Sequence, residues 1–288
     1  MGLWQPKTLT SFFHFVRPPE QVIHERNKIK ILRDQRYSSR DKRLLADIYL
    51  PLNGKDHNPA ILMVHGGGWA SRSKEDMNWS AEYYSKRGYT VVNINYRLAP
   101  QYLYPAPLMD LKAAFEWMLS NKENFRVDEN KIILMGYSAG GHLTSLFSGH
   151  VTSNKTDFAH LKHRAVISGG APYDFMVYPQ SPYINRFTSF YRDENPDLYL
   201  EASPLSYVSS QSVPHFLYHA KKDRLVEFEQ MTKYELALKK NGIKVASFTV
   251  GRFDHVSTFL LATAPIVSSL HFVEDQVFDS FNSRAQTW

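Results

Sequence analysis

Three stretches of this chain, residues 60–64, 90–94 and 131–135, are almost unbroken runs of apolar residues, each too short for a helix. Runs of this kind read as strands buried on both faces, and burial on both faces calls for parallel strands covered by helices. Five more strand-like stretches accompany them. Residues 28–33 and 44–50 alternate and read as half-buried, and residues 165–168, 215–219 and 244–250 follow later. Helical periods lie between the strands: Leu108, Leu111, Phe115 and Met118 are three, four and three residues apart and share one face. Ile266, Leu270, Val273 and Val277 do the same near the end of the chain. Strand and helix alternating in this way predict an α/β fold, a mostly parallel eight-stranded sheet with helices on both faces. No linker or internal repeat interrupts the alternation, so one domain over residues 1–288 is expected, although the chain exceeds the ~150 residues of an average domain.

Two segments stand outside the pattern. Within an N-terminal segment, residues 1–26, Leu9, Phe12, Phe13 and Val16 form an apolar stripe that ends before Pro18 and Pro19, a candidate cap for a pocket. Residues 173–207 form an insertion dense in tyrosine and phenylalanine. Phe175, Tyr178, Tyr183, Phe187, Phe190 and Tyr191 are available to line an apolar site, while packing of the insertion onto the sheet accounts for most of them.

Composition removes several classes of function. The chain contains no cysteine, which excludes disulfide frameworks, thiolate metal sites and a cysteine nucleophile. The 34 Lys and Arg against 28 Asp and Glu give a net charge of +6, but the basic residues are scattered, with no stripe or reader motif for nucleic acid. No stretch approaches the ~20 apolar residues of a membrane span, and the N-terminus lacks the apolar run of a secretory signal. Gly2 does not make a myristoylation site, because Pro6 holds the position that needs Ser or Thr. A cytoplasmic protein without membrane or nucleic-acid partners, monomeric or homodimeric, is the expectation.

Gly136-Tyr137-Ser138-Ala139-Gly140 satisfies G-x-S-x-G directly after an apolar strand and before a segment with Leu143, Leu146 and Phe147 at helical spacing. That strand-turn-helix setting is the one in which the motif presents a nucleophilic serine, so Ser138 is the candidate nucleophile. His65-Gly66-Gly67-Gly68-Trp69 follows the strand at 60–64 and faces the same sheet edge. Attack on a carbonyl places negative charge on its oxygen, and each preorganised donor to that charge supplies ~2.7–4 kcal/mol. The backbone N–H groups of Gly67, Gly68 and Ala139 are the candidate donors. Trp69 and Tyr137, beside the two motifs, are the candidate substrate-binding residues.

A serine hydroxyl needs a base, and the base needs an orienting acid. In chain order the acid comes before the base. Asp223 follows the strand at 215–219 and His255 follows the strand at 244–250, which makes them the candidate acid and base. Asp254 competes as acid but, adjacent to His255, is poorly placed to reach the far ring nitrogen. His65, His142 and His219 read as structural. His160 and His163 lack the carboxylates or cysteines of a zinc site, so no metal and no cofactor is expected.

These motifs resemble the hormone-sensitive-lipase-like carboxylesterase branch of the α/β-hydrolase superfamily. His65 to Trp69 is similar to its HGGG loop, Asn95-Tyr96-Arg97-Leu98-Ala99-Pro100 to its YRLAPE segment with Gln101 in place of the acid, and Ser138 to Leu143 to its SAGGHL form. Ser203-Pro204-Leu205, Asp223 and His255 match downstream landmarks, so the resemblance runs from about Leu44 onward. Tyr137 replaces the Asp of many lipase-like members, and the GYSAGG form also resembles arylformamidases and acetyl- or feruloyl-ester hydrolases. Arg97 and Asp110 read as a scaffold pair. The resemblance implies an α/β-hydrolase fold with a small cap, and an acyl-enzyme mechanism on short-chain or aryl esters of small molecules. Two alternatives accompany it: amide hydrolysis of the N-formylkynurenine type, and a ligand-binding homologue without catalysis.

Overall fold

Residues 28–52 and 55–278 are described by a computed structural model, and within them eight strands form one sheet in the order β1-β2-β4-β3-β5-β6-β7-β8. The strands are β1 (Ile29–Arg36), β2 (Leu45–Pro51), β3 (Asn58–Val64), β4 (Thr90–Ile94), β5 (Val127–Tyr137), β6 (Ala165–Gly169), β7 (His215–Ala220) and β8 (Val245–Val250). β2 runs antiparallel to both β1 and β4, and every other pairing is parallel. The carboxyl ends of β3, β5, β7 and β8 therefore share one edge, and the loops that leave them carry all the candidate catalytic residues.

Alternation along the strands sorts side chains onto two faces. Ala60, Leu62, Val64, Ile132 and Leu134 join one cluster, and their neighbours Ile61, Met63, Ile133 and Met135 join the other. Helix α1 (Asn78–Ser85) places Ala81 and Tyr84 in the second cluster. Helix α2 (Ala106–Ser120) buries Leu108, Leu111, Phe115 and Met118 in the first, as the period predicts. Helix α3 (Ala139–Thr152) joins the first cluster and is buried from Ala139 to His150, lying between the sheet and the insertion.

The insertion folds as a small cap carrying α4 (Pro182–Thr188) and α5 (Pro196–Glu201). Ser181 and Asn195 cap these helices, accepting bonds from the Ile184 and Leu198 N–H groups at 3.4 and 3.1 Å. Helix α6 (Glu229–Lys240) packs Met231, Tyr234 and Leu238 against Leu217 of β7. Helix α7 (His255–Leu261) begins at the candidate base. Helix α8 (Ala264–His271) buries Ile266 and Leu270 and runs on through a π-helical turn, Phe272–Phe278, where Val273 is also buried.

Two readings change. β2 is buried along most of its length rather than half-buried, because it lies between β1 and β4 with Ala46 and Ile48 in one cluster and Tyr49 in the other. β5 begins at Val127, four residues before its apolar run. Its early part, through Glu129, Asn130 and Lys131, is exposed and polar and carries no hydrophobic signal. The candidate N-terminal cap lies outside the described residues. Among the described residues no single helix is long and apolar enough to cross a membrane; α7 and α8 pass that test only together, as a bent pair.

Among the buried histidines are His65, His142, His150, His163 and His215. Burial drives their pKa values down, to about 3 for His65, His142 and His163 and to about 4 for His150 and His215. In the unfolded chain each protonates near ~6.5. Below that pH the unfolded state binds protons that the folded state refuses, so unfolding becomes more favourable as pH falls. Stability is expected to be full above ~6.5 and to drop towards pH ~4, by up to ~1.4 kcal/mol per pH unit for each ring. Urea midpoints measured across that window test this, and a flat profile would mean that the rings accept protons in the folded state.

Candidate active site

Ser138 sits between β5 and α3 with φ 54° and ψ −122°, a backbone region that residues with a Cβ rarely occupy. The turn holds because Ser138 N–H donates to Gly169 O at 2.7 Å and His142 N–H donates to Ser138 O at 2.9 Å. It also needs α3 to lie almost on top of β3. A Cβ at Gly140 would stand 2.2 Å from Val64 O and 2.5 Å from His65 O, so only glycine fits there.

The candidate catalytic side chains converge. Ser138 Oγ lies 2.9 Å from His255 Nε2, and His255 Nδ1 lies 2.6 Å from Asp223 Oδ2. With Nδ1–H donating to the carboxylate, Nε2 is the acceptor that faces the serine hydroxyl. Asp223 is buried and accepts further bonds, from the Leu225 and Val226 N–H groups, both at 2.9 Å to Oδ1, and from His219 Nε2 at 3.3 Å to Oδ2. Burial alone would raise the pKa of Asp223. The bonds from His219, His255 and the Val226 N–H outweigh it and hold the carboxyl well below the usual carboxylate range. Asp254 serves elsewhere: it caps α7, accepting from Ser257 N–H at 2.8 Å.

The glycine loop enters from β3. Gly67, Gly68 and Trp69 all take positive φ, at 107°, 57° and 58°. A side chain at Gly67 would also meet Ser71 O at 2.2 Å. His65 anchors the loop: its ring is buried, stacks on Tyr96 at 4.4 Å, and pairs through Nδ1 with Gly66 O at 2.7 Å. Gly67, Gly68, Ala139, Ser138 and His255 line one mainly apolar cavity of about 270 Å³.

Trp69 and Tyr137 also line that cavity, yet both are almost wholly buried and each holds another part of the site. The Trp69 indole stacks on Phe187 at 4.7 Å and donates to His142 Nδ1 at 3.2 Å, and His142 Nε2–H in turn donates to Ala202 O at 2.7 Å. The Tyr137 hydroxyl donates to His255 O at 2.6 Å, and its ring stacks on Phe259. From the insertion, Tyr178, Tyr183 and Ile184 reach the cavity, whereas Phe175 and Phe187 are fully buried against Trp69 and His142. Leu225, Val226, Val256 and Phe259 add to the apolar wall, and Arg72, Asp76 and Arg186 also line the cavity. Sequence reasoning passed over the four apolar residues, and their signal was adjacency to Asp223 and His255.

His160 pairs with Glu116 at 2.9 Å and His163 with Ser148 at 2.8 Å, on separate partners. Among the described residues no three His, Asp or Glu side chains gather as metal ligands. Arg97 grips the buried Asp110 through both its side chain and its backbone N–H, joining the segment after β4 to α2.

The BD-FAE family profile matches residues 46–238. The chain is 29% identical to esterase LipQ of Mycobacterium tuberculosis over 218 residues, which is 71% of this chain and 51% of LipQ. It spans about half the length of the curated relatives it matches. Among solved structures, a truncated carbohydrate esterase from gut microbiota superposes with a TM-score of 0.75 at 22% identity, covering 86% of this chain and 96% of that one. Esterase B from Lactobacillus rhamnosis, in a structure inhibited by a tributyrin phosphonate, gives 0.80 at 18% identity, covering 96% and 93%. The fold is that of the α/β hydrolases.

The strained backbone at Ser138 has a measurable consequence. Ser138→Gly, which removes the Cβ, is expected to unfold at higher urea than Ser138→Ala, which keeps it, by about 1 kcal/mol. The reverse order would show that the turn is unstrained.

Proposed function

The chain belongs to the BD-FAE family, and on that footing we propose that it is a serine hydrolase that cleaves carboxylic esters with short-chain or aryl acyl groups. The observation that carries the reading is the relay Asp223–His255–Ser138, with contacts of 2.6 and 2.9 Å, opening into an apolar cavity. The esterase names of LipQ and of the superposed structures point the same way.

In this reading His255 Nε2 takes the Ser138 hydroxyl proton as Oγ attacks the ester carbonyl carbon. The carbonyl oxygen becomes an alkoxide, held by the N–H groups of Gly67, Gly68 and Ala139. Ala139 suits this task because the first N–H groups of a helix have no partner within it and carry the positive end of its dipole. As the tetrahedral species collapses, the imidazolium returns its proton to the departing alcohol, leaving an acyl group on Ser138. Water enters, His255 takes its proton, and the reverse collapse frees the carboxylic acid and the serine. Asp223, kept ionised by its hydrogen bonds, orients the imidazole and stabilises its charged form.

The cavity of about 270 Å³ falls just under the ~300 Å³ at which sites for drug-sized ligands begin. Its wall of Tyr178, Tyr183, Ile184 and Phe259 suits a short aliphatic or an aryl acyl group. Ser138→Ala is expected to abolish turnover of p-nitrophenyl acetate while the circular dichroism spectrum is retained. Asp223→Asn is expected to lower kcat by on the order of 10³–10⁴-fold. Across p-nitrophenyl esters kcat/KM should fall from butyrate to laurate. Full activity in Ser138→Ala would overturn the reading, and a preference for laurate would overturn the acyl size.

A further inference from the structure

Beside the apolar cavity lies a second, more open groove of about 560 Å³, and the two share Leu225, His255 and Val256. Its other lining residues are Lys222, Arg224, Arg252, Phe253, Asp254 and Ser257, so three cations face one carboxylate. Two loops build it. Strands β7 and β8 are parallel neighbours with Ala220 opposite Val250, and Lys221 N–H donates to Val250 O at 2.9 Å. The chain therefore leaves both strands side by side, which brings Lys222 and Arg224 of one loop next to Arg252 of the other.

All three cations are exposed, and among the described residues none has a carboxylate partner. Of the two acids of these loops, Asp223 is turned inward to His255 and His219, while Asp254 caps α7 through Oδ1 and stays exposed on the groove, where the cations outnumber it. A solvated basic surface spread over a chain of net charge +6 would leave its cations scattered. Here they are gathered in a concavity whose inner wall is the candidate catalytic imidazole.

We propose that this groove is a subsite for an anionic group, a carboxylate or a phosphate, carried on the alcohol portion of the ester. The proposal rests on the esterase reading above. His255 must hand its proton to the departing oxygen, so the alcohol portion lies against His255, which also lines the groove. The acyl portion lies in the apolar cavity. Phe253, Leu225 and Val256 offer an apolar wall for the spacer between the ester oxygen and the anion, and the three cations meet the charge.

The test compares para-acetoxybenzoate with its neutral analogue para-acetoxybenzamide, each kcat/KM normalised to the compound's own rate of alkaline hydrolysis. At low ionic strength the anionic ester is expected to be favoured about fivefold or more. The ratio should shrink towards one in about 0.5 M salt, where charges at this range are screened. It should also shrink in the double variant Arg224→Gln/Arg252→Gln. Moving the anion to the acyl side, with mono-p-nitrophenyl glutarate against p-nitrophenyl butyrate, places it near Arg72 and Arg186 of the other cavity, and any preference there should be unchanged by the double variant. A ratio at or below one, an unchanged ratio in high salt or in the double variant, or an acyl-side preference that falls equally in that variant would overturn the proposal. Turnover of p-nitrophenyl acetate with the Ser138→Ala blank reports on the esterase reading separately. Calorimetric binding of para-hydroxybenzoate over para-hydroxybenzamide reads the groove without any turnover, and equal binding of the two would also count against it.

Discussion

The contact on which the rest depends is the approach of helix α3 to the end of strand β3, where Gly140 lies against the carbonyls of Val64 and His65. One close contact joins the turn that presents Ser138 to the loop that presents the glycine N–H groups. Had α3 begun a methyl group farther away, Ser138 and Gly67 would no longer face one cavity. The strain of a positive φ at Ser138, of order 1–3 kcal/mol, is sustained because the neighbouring strands leave the turn no alternative. Gly169 O accepts the Ser138 N–H on one side, and α3 is buried along nearly its whole length on the other.

A neutral histidine extends this rigidity to the cap. His142, one turn into α3, accepts from Trp69 of the glycine loop and donates to Ala202 of the insertion. A ring that must accept at Nδ1 and donate at Nε2 exists only as the neutral tautomer, and burial, which pushes its pKa down to about 3, keeps it so. Phe175 and Phe187 close around the pair by stacking on His142 and Trp69. The cap is thus fixed to the same two elements that shape the turn at Ser138, and Tyr178, Tyr183 and Ile184 become a defined wall rather than a loose cover.

Much of this was legible in the sequence, and what was not has a physical reason. Apolar runs and helical periods report local burial, so β3, β4 and α2 could be read directly. The exposed polar start of β5 has no such signature, and the double burial of β2 depends on which strands lie beside it, a matter of tertiary pairing. The convergence of Ser138, Asp223 and His255 was legible because each follows a strand whose carboxyl end falls on one edge. Which aromatics of the insertion face the cavity was not, since Phe187 and Tyr183 sit in the same short helix and differ only in which face meets Trp69. The gathering of Lys222, Arg224 and Arg252 depends on the register of β7 against β8, which no local pattern reports.

Asp223 accepts bonds from two imidazoles on the same oxygen, and geometry decides which one can serve as a base. His219 points Nε2–H at Val226 O, 2.8 Å away, as well as at Asp223, and its Nδ1 is buried with no partner among the described residues. His255 instead directs Nδ1–H to Asp223 and leaves Nε2 on the cavity wall, 2.9 Å from Ser138 Oγ, where a proton has both a source and a destination. His219 therefore acts on the chemistry only through Asp223. By holding the carboxylate and the Val226 carbonyl together it fixes the loop 223–226, whose N–H groups return two bonds to Asp223 Oδ1. The same short loop carries Leu225 and Val226 into the apolar cavity and Arg224 into the cationic groove. The hydrogen-bond shell of Asp223 thus sets both the position of His255, the candidate base, and the surfaces on either side of it.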